Sequence, residues 1–225
     1  MRVIGRLSVT WGLRAVTLLA LVGSPAGSTQ AQSTGDSLIR RRVQNGVSFL
    51  LPASWRTISD STQHRLASVV DTTLSNSRDT LIQSSLRKGK PVTLLPQTIG
   101  AADLSVNLNI SPTPGVVPGS FGSLPPATVI AAMAPLCNSM RGVYEGLGAR
   151  LITCGPAILD QAAGRTIVVT KLVRTGPRGF VTVWIVQYPD HGVMYTLTLQ
   201  SPQADEQRNE PLLQKMWRSV EIPAE

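Results

Sequence analysis

The chain has 225 residues, 42% of them hydrophobic and 15% charged, with a formal net charge of +8. That length suits one domain with a single substantial core rather than two. The basic excess is not gathered with aromatics onto one face, which argues against a nucleic-acid module.

Residues 1–31 read as an export signal. Arg2, Arg6 and Arg14 form a basic start, residues 15–22 an apolar stretch too short to span a bilayer, and Thr29-Gln30-Ala31 a small-x-small cleavage pattern. Cleavage after Ala31 leaves 194 residues and, with three arginines gone and no acid lost, a formal charge of +5. The mature chain is then expected in a periplasm or outside the cell. No Cys follows the apolar stretch to carry a lipid anchor, and no later segment is apolar and long enough to span a membrane. Residues 32–44 read as a flexible lead carrying the one basic run, Arg40-Arg41-Arg42.

A single domain is predicted over residues 45–222. Residues 47–51 form a short apolar strand, introduced by Asn45-Gly46, ended by Pro52 and followed by Trp55. Residues 60–88 form a helix with Leu66, Val70, Leu74, Leu81 and Ile82 as its stripe; Gly89 and Pro91 stop it. A brief strand at 92–95 precedes one at 103–111. There Leu104, Val106, Leu108 and Ile110 point one way and Ser105, Asn107 and Asn109 the other, giving one dry face and one wet or lightly covered face.

Residues 112–126 are rich in Pro, Gly and Ser, a long loop for a compact domain. No periodic element is there to bury Val116, Val117 and Phe121. They are therefore expected to be exposed and are the candidate partner surface. A helix follows from Pro125-Pro126, with Val129, Met133, Leu136, Met140, Val143 or Tyr144, and Leu147 at helical spacing. Pro135 removes a backbone hydrogen bond, which predicts a kink rather than two separate helices.

Cys137 and Cys154 are the two cysteines. An even number in an oxidising compartment reads as a disulfide. With the helix ending near Leu147 and a strand starting near Arg150, Cys137 lies about 15 Å back along the helix. Cys154 lies about 13 Å along the strand, so the sulfurs sit at a similar level. Two free buried thiols are the alternative.

The last third is strand-rich, at 151–154, 157–159, 165–175, 180–188 and 193–200, with a hairpin around Pro189-Asp190-His191-Gly192. The strand from Phe180 is apolar on both faces, Val181, Val183 and Ile185 on one and Phe180, Trp184, Val186 and Tyr188 on the other. It is predicted to be central and covered on both sides. A closing helix at 205–218 presents Leu212, Leu213, Met216 and Trp217; Asp205, Glu206 and Glu210 near its start favour the helix dipole.

Catalytic signatures are missing from this sequence: no Gly-x-Ser-x-Gly elbow, phosphate loop, dinucleotide fingerprint or His-Glu-x-x-His occurs. His64 reads as a solvated helix residue and His191 as an exposed hairpin-tip residue. No cofactor, metal ligand set or catalytic residue is assigned.

Phe49-Leu50-Leu51-Pro52-Ala53-Ser54-Trp55 near the start, and Tyr195-Thr196-Leu197-Thr198-Leu199 with a helix closing on Trp217-Arg218-Ser219-Val220-Glu221-Ile222, resemble the PsbP-like and DcrB-like exported proteins. The resemblance implies a three-layer α/β/α sandwich with a mostly antiparallel central sheet, in which residues 60–88 are a helical insertion. The doubly apolar strand and three singly striped helices agree with it. It also implies a non-enzymatic binding or assembly module. The plant and cyanobacterial members act at photosystem II, but no residue of that interface is matched here. The expected function is an exported, non-catalytic module acting on a protein or envelope partner; a secreted hydrolase without a recognisable motif and a carrier of an apolar small molecule are the alternatives.

Overall fold

A computed structural model describes residues 37–43, 46–57, 98–99, 104–117, 119–146, 148–176 and 178–223. The expected export signal, the helix at 60–88 with His64, and the strand at 92–95 lie outside the described residues.

The described strands are β1 (Leu38–Arg42), β2 (Ser48–Pro52), β3 (Arg56–Thr57), β4 (Thr98–Ile99), β5 (Ser105–Pro112), β6 (Leu151–Cys154), β7 (Ile158–Ala162), β8 (Arg165–Gly176), β9 (Gly179–Asp190) and β10 (Val193–Pro202). The helices are α1 (Pro126–Met133), α2 (Pro135–Gly146) and α3 (Glu206–Arg218), the last entered through a 3-10 turn at Gln203–Asp205. An eight-stranded sheet runs in the order β3-β4-β5-β10-β9-β8-β6, with β7 also paired to β8, and every described pairing is antiparallel. β1 and β2 form a separate antiparallel hairpin.

β9 is central and covered on both faces, as its double apolar pattern predicts. Val183 and Ile185 pack with Leu136, Met140 and Tyr144 of α2. On the opposite face Trp184, Val186 and Tyr188 pack with Phe49 and Leu51 of β2 and Leu213, Met216 and Trp217 of α3. Each such side chain contributes about 1.5–3 kcal/mol by leaving water. The result is three layers: α1 and α2, the sheet, then α3 with the β1–β2 hairpin. Tyr188 ties the last two together, its hydroxyl donating to the Trp217 carbonyl at 2.7 Å inside the core.

Several elements depart from the sequence reading. Leu38–Arg42, within the stretch expected as a flexible lead, is β1 and pairs with β2 from Leu38–Pro52 to Arg42–Ser48. The predicted kink at Pro135 is a break in the hydrogen bonding between α1 and α2, yet the residue between them, Ala134, keeps α-helical angles (φ −53°, ψ −39°). Pro135 has no N–H to donate, so the interruption falls there while the chain barely changes course. On β5, the face expected to be wet is as secluded as the dry one, with Ser105, Asn107 and Asn109 at 6%, 5% and 5% exposure.

The loop 112–126 departs furthest. Val116 and Phe121 are buried, at 5% and 1% exposure, in a small core with Val129, Ala157, Val168 and Met194. The expectation that all three apolar loop residues are exposed holds for Val117 alone, at 52%. The loop needs no periodicity to pack because its backbone is pinned to the β9–β10 hairpin tip: the Thr113 amide donates to the Gly192 carbonyl at 2.7 Å and the Gly192 amide to the Val116 carbonyl at 2.6 Å. Gly115 and Gly119 take φ of +84° and +82°, angles that other residues rarely adopt, and so let the loop fold back on itself.

Candidate functional site

The two motifs at the chain ends meet in space. The Leu50 amide donates to Ser219 Oγ at 2.8 Å, and Ser48 exchanges backbone hydrogen bonds with Glu221 at 2.9 and 2.8 Å. The tail after α3 therefore runs beside β2, opposite β1. Where the hairpin leans on α3 a groove of about 480 Å³ opens, lined by Leu38, Leu50, Pro211, Gln214, Lys215, Arg218 and Ser219. Leu38 and Leu50 come from adjacent strands of the hairpin. Pro211 stands inside α3, where its ring replaces an N–H donor.

Cations surround this groove. Arg40 Nη1 bridges to Glu221 Oε2 at 2.9 Å and donates to the Ser219 carbonyl at 3.0 Å. Arg218 grips Asp160 of β7 with both Nε and Nη2 at 3.1 Å, and Trp217 Nε1 reaches the same carboxylate at 3.4 Å. Burial would raise the Asp160 pKa, but the hydrogen bonds from the Gln161 amide, Arg218 and Trp217 outweigh it and hold the carboxyl below its ordinary value. Lys215, exposed on α3, has no ion-pair partner among the described residues. Lys215 and Arg218 line the groove, and Arg40 and Arg42 share the Leu38 face of β1, whereas Arg41 turns to the other face and donates to the Ala53 carbonyl; set against Asp160 and Glu221, these four cations leave two positive charges unbalanced among the described residues.

The acids at the start of α3 do more than complement its dipole. Glu206 pairs with Lys171 of β8 and accepts from the Thr182 hydroxyl at 2.6 Å, and Glu210 lies 3.7 Å from the same ammonium. Lys171 also sits 5.6 Å above the Trp184 ring. This cluster fastens α3 to the sheet. At the hairpin tip, Asp190 is buried rather than exposed, ion-paired to Arg165 at 2.9 Å, with half-exposed His191 Nδ1 at 3.0 Å. Among the described residues, no three His, Cys, Asp or Glu side chains gather as a metal site would require.

Cys137 of α2 and Cys154 of β6 form a disulfide, with Cα atoms 5.9 Å apart. The bridge joins the helix layer to the sheet margin and is consistent with an oxidising compartment. No helix among the described residues is long and apolar enough to cross a membrane.

No protein-family model matches this sequence, and no curated protein matches it. Solved structures do. The cyanobacterial PsbP (CyanoP) of Synechocystis sp. PCC 6803 superposes with a TM-score of 0.50 at 14% identity, over 89% of this chain and 100% of that one. The chain has the PsbP-like fold. The Ran-binding protein Mog1p of Saccharomyces cerevisiae is similar at a TM-score of 0.44 and 10% identity, over 83% and 96% of the two chains. A protein of unknown function from Pseudomonas aeruginosa, described as a putative regulator, gives 0.35 and 10%, over 84% and 98%.

Of the residues singled out from sequence as a partner surface, the structure leaves Val117 at the surface and places Val116 and Phe121 inside. The groove went unnoticed because its lining comes from three separated stretches. The one signal available was the proximity of Arg40-Arg41-Arg42 to a strand that had to meet the closing helix.

Proposed function

We propose that this chain is an exported, non-catalytic binding module that holds an acidic segment of a protein partner in the groove between the β1–β2 hairpin and α3. The observation that carries the reading is the pairing of an aliphatic floor, Leu38 and Leu50, with two cations, Lys215 and Arg42, that no carboxylate among the described residues balances. Exposed ion pairs are worth about 0.2–1 kcal/mol each, so two of them supply at most about 2 kcal/mol. The remaining affinity comes from apolar contact along the floor, and the charges select the partner and speed encounter. The disulfide supports export, because such bridges persist in oxidising compartments.

A photocrosslinker at Leu38 in the full chain, expressed in its native cells, tests this. One partner with an acidic segment should be captured, capture should fall at least tenfold with Lys215→Glu, and 0.5 M salt should weaken it. Capture of the same partner at undiminished yield by Lys215→Glu would discard the groove as the site. Val117, half exposed on the same loop as exposed Leu124, supports a second, smaller contact there. Its replacement by Asp should reduce capture only if the partner extends across the sheet end.

A further inference from the structure

The sheet face beneath α1 and α2, opposite the groove, holds a buried guanidinium to which the described residues offer no counter-charge. Arg174, near the end of β8, is 4% exposed. Its Nη2 donates to Gln200 Oε1 at 2.5 Å, its Nη1 to the Thr175 carbonyl at 2.9 Å, and the Tyr144 ring of α2 lies 5.4 Å from its central carbon. Among the described residues no carboxylate reaches it, and its Nε, closed off from solvent, has no acceptor. Tyr144 does not supply the missing charge, since burial pushes its phenol up to about 12. Three residues earlier, Lys171 is 41% exposed and yet faces two carboxylates. A charge that water could have served is paired, and one that water cannot reach is not.

Polar groups continue from Arg174 across the sheet. Gln200 on β10 lies opposite Ser105 of β5, and Thr198, two residues back, lies opposite Asn107. All four are 6% exposed or less, and Asn107 Oδ1 has no donor among the described residues. One end of this track offers a donor and the other an acceptor, each unused. Burying such groups without partners costs more than leaving them in water, and an anion accepting from the guanidinium fork relieves the larger penalty. The start of β6 brings exposed Arg150 to the same end of the sheet, where its amide donates to Thr175 Oγ1 beside Arg174, which raises the local positive potential. Burial also pulls the Arg174 pKa below its ordinary value, as expected where no anion offsets the charge.

We propose that Arg174 anchors a small anion, bound through a carboxylate or phosphate group, between α2 and the sheet, with Gln200 fixing the guanidinium plane. The occupant would enter between the β8–β9 turn and the C-terminal end of α2. This site and the groove lie on opposite faces, so either can fail without the other.

Thermal melting of the full mature chain at constant ionic strength and pH 7 tests it, with sodium phosphate in one arm and sodium acetate or citrate in the other, against chloride and sulfate controls. At an anion concentration a hundred times Kd, Tm should rise by about 5–10 °C in a saturating manner. A phosphate-only response identifies a phosphoryl ligand and a carboxylate-only response a carboxylic acid. Arg174→Met should abolish the saturable rise, and Arg174→Lys, which keeps the charge but loses the fork, should weaken it at least tenfold. If Arg174→Met does not fold, the Arg174 Nε–H resonance of the unaltered protein serves instead and should shift on titration. A wild-type Tm that follows the sulfate control in both arms, or a stationary Nε–H resonance, overturns the proposal.

Discussion

Removing the Cys137–Cys154 bridge should lower stability chiefly by loosening the unfolded chain. The two cysteines are 17 residues apart in sequence. Closing a loop of that length removes about 10 cal/mol/K of entropy from the unfolded ensemble, or about 3 kcal/mol at 25 °C. The folded state has other means of holding α2 in place. Leu136, Met140 and Tyr144 rest on Leu172, Val183 and Ile185, and Ala149 returns an amide to the Tyr144 carbonyl at 2.8 Å just past the helix. Cys137→Ala with Cys154→Ala should therefore keep the native near-ultraviolet spectrum while Tm falls by about 6–12 °C for a chain of this size. Because the uncrosslinked unfolded state exposes more surface, the urea m-value should rise. A reductant should shift the wild-type melt to that of the double variant and leave the double variant unmoved. Unchanged Tm and m-value in the double variant would refute the reasoning, since they would mean that the bridge neither restrains the unfolded chain nor forms in solution.

The loop 112–126 separates two substitutions that composition alone treats alike. Phe121→Ala should cost about 3–5 kcal/mol, since it opens a cavity among Val129, Val168 and Met194, whereas Val117→Ala should stay within about 0.5 kcal/mol; denaturant midpoints decide it, and equal costs would contradict the observed burial. Asp160 is held below its ordinary pKa in the folded state, so its contribution is present above the unfolded carboxyl value and lost as pH falls through the folded one. With Arg218 53% exposed that contribution is at most about 1 kcal/mol. The gap in urea midpoint between wild type and Asp160→Asn should thus be present at pH 6 and gone at pH 2.5; a gap constant across that range would show that the titration of Asp160 is not coupled to folding.

Legibility in the sequence followed the periodicity of each segment. β9 was readable because strict alternation placed Val183 and Ile185 on one side and Trp184, Val186 and Tyr188 on the other, and both sets found helical cover. The stripe of α3 was readable for the same reason, with Leu213, Met216 and Trp217 buried and Leu212 partly so. β1 was not, because Leu-Ile-Arg-Arg-Arg alternates nothing. What makes it a strand is remote: β2 beside it, and Ser219 and Glu221, which receive Arg40 from across nearly the whole chain. Arg174 escaped notice because an arginine on a strand reads as solvated. Its register with Val168 and Leu172, on a face that had to be covered, was the available warning.

The same long-range closure separates folding from binding in this molecule. β2, the end of α3 and the tail after it supply Phe49, Leu51, Trp217 and Val220 to the core, so changes there act on stability first. The cations above them do not share that duty. Lys215 has no ion-pair partner among the described residues, and Arg42 projects from a hairpin whose backbone pairing is independent of its side chain. Charge reversal at these two positions should leave the melting curve nearly unchanged, because surface substitutions that break no packing or pairing fall within about 0.5 kcal/mol. Any loss of partner capture in such variants then reports on the groove itself, which substitutions at Leu50 or Ser219 cannot do, since Ser219 Oγ holds the Leu50 amide and with it the edge of β2.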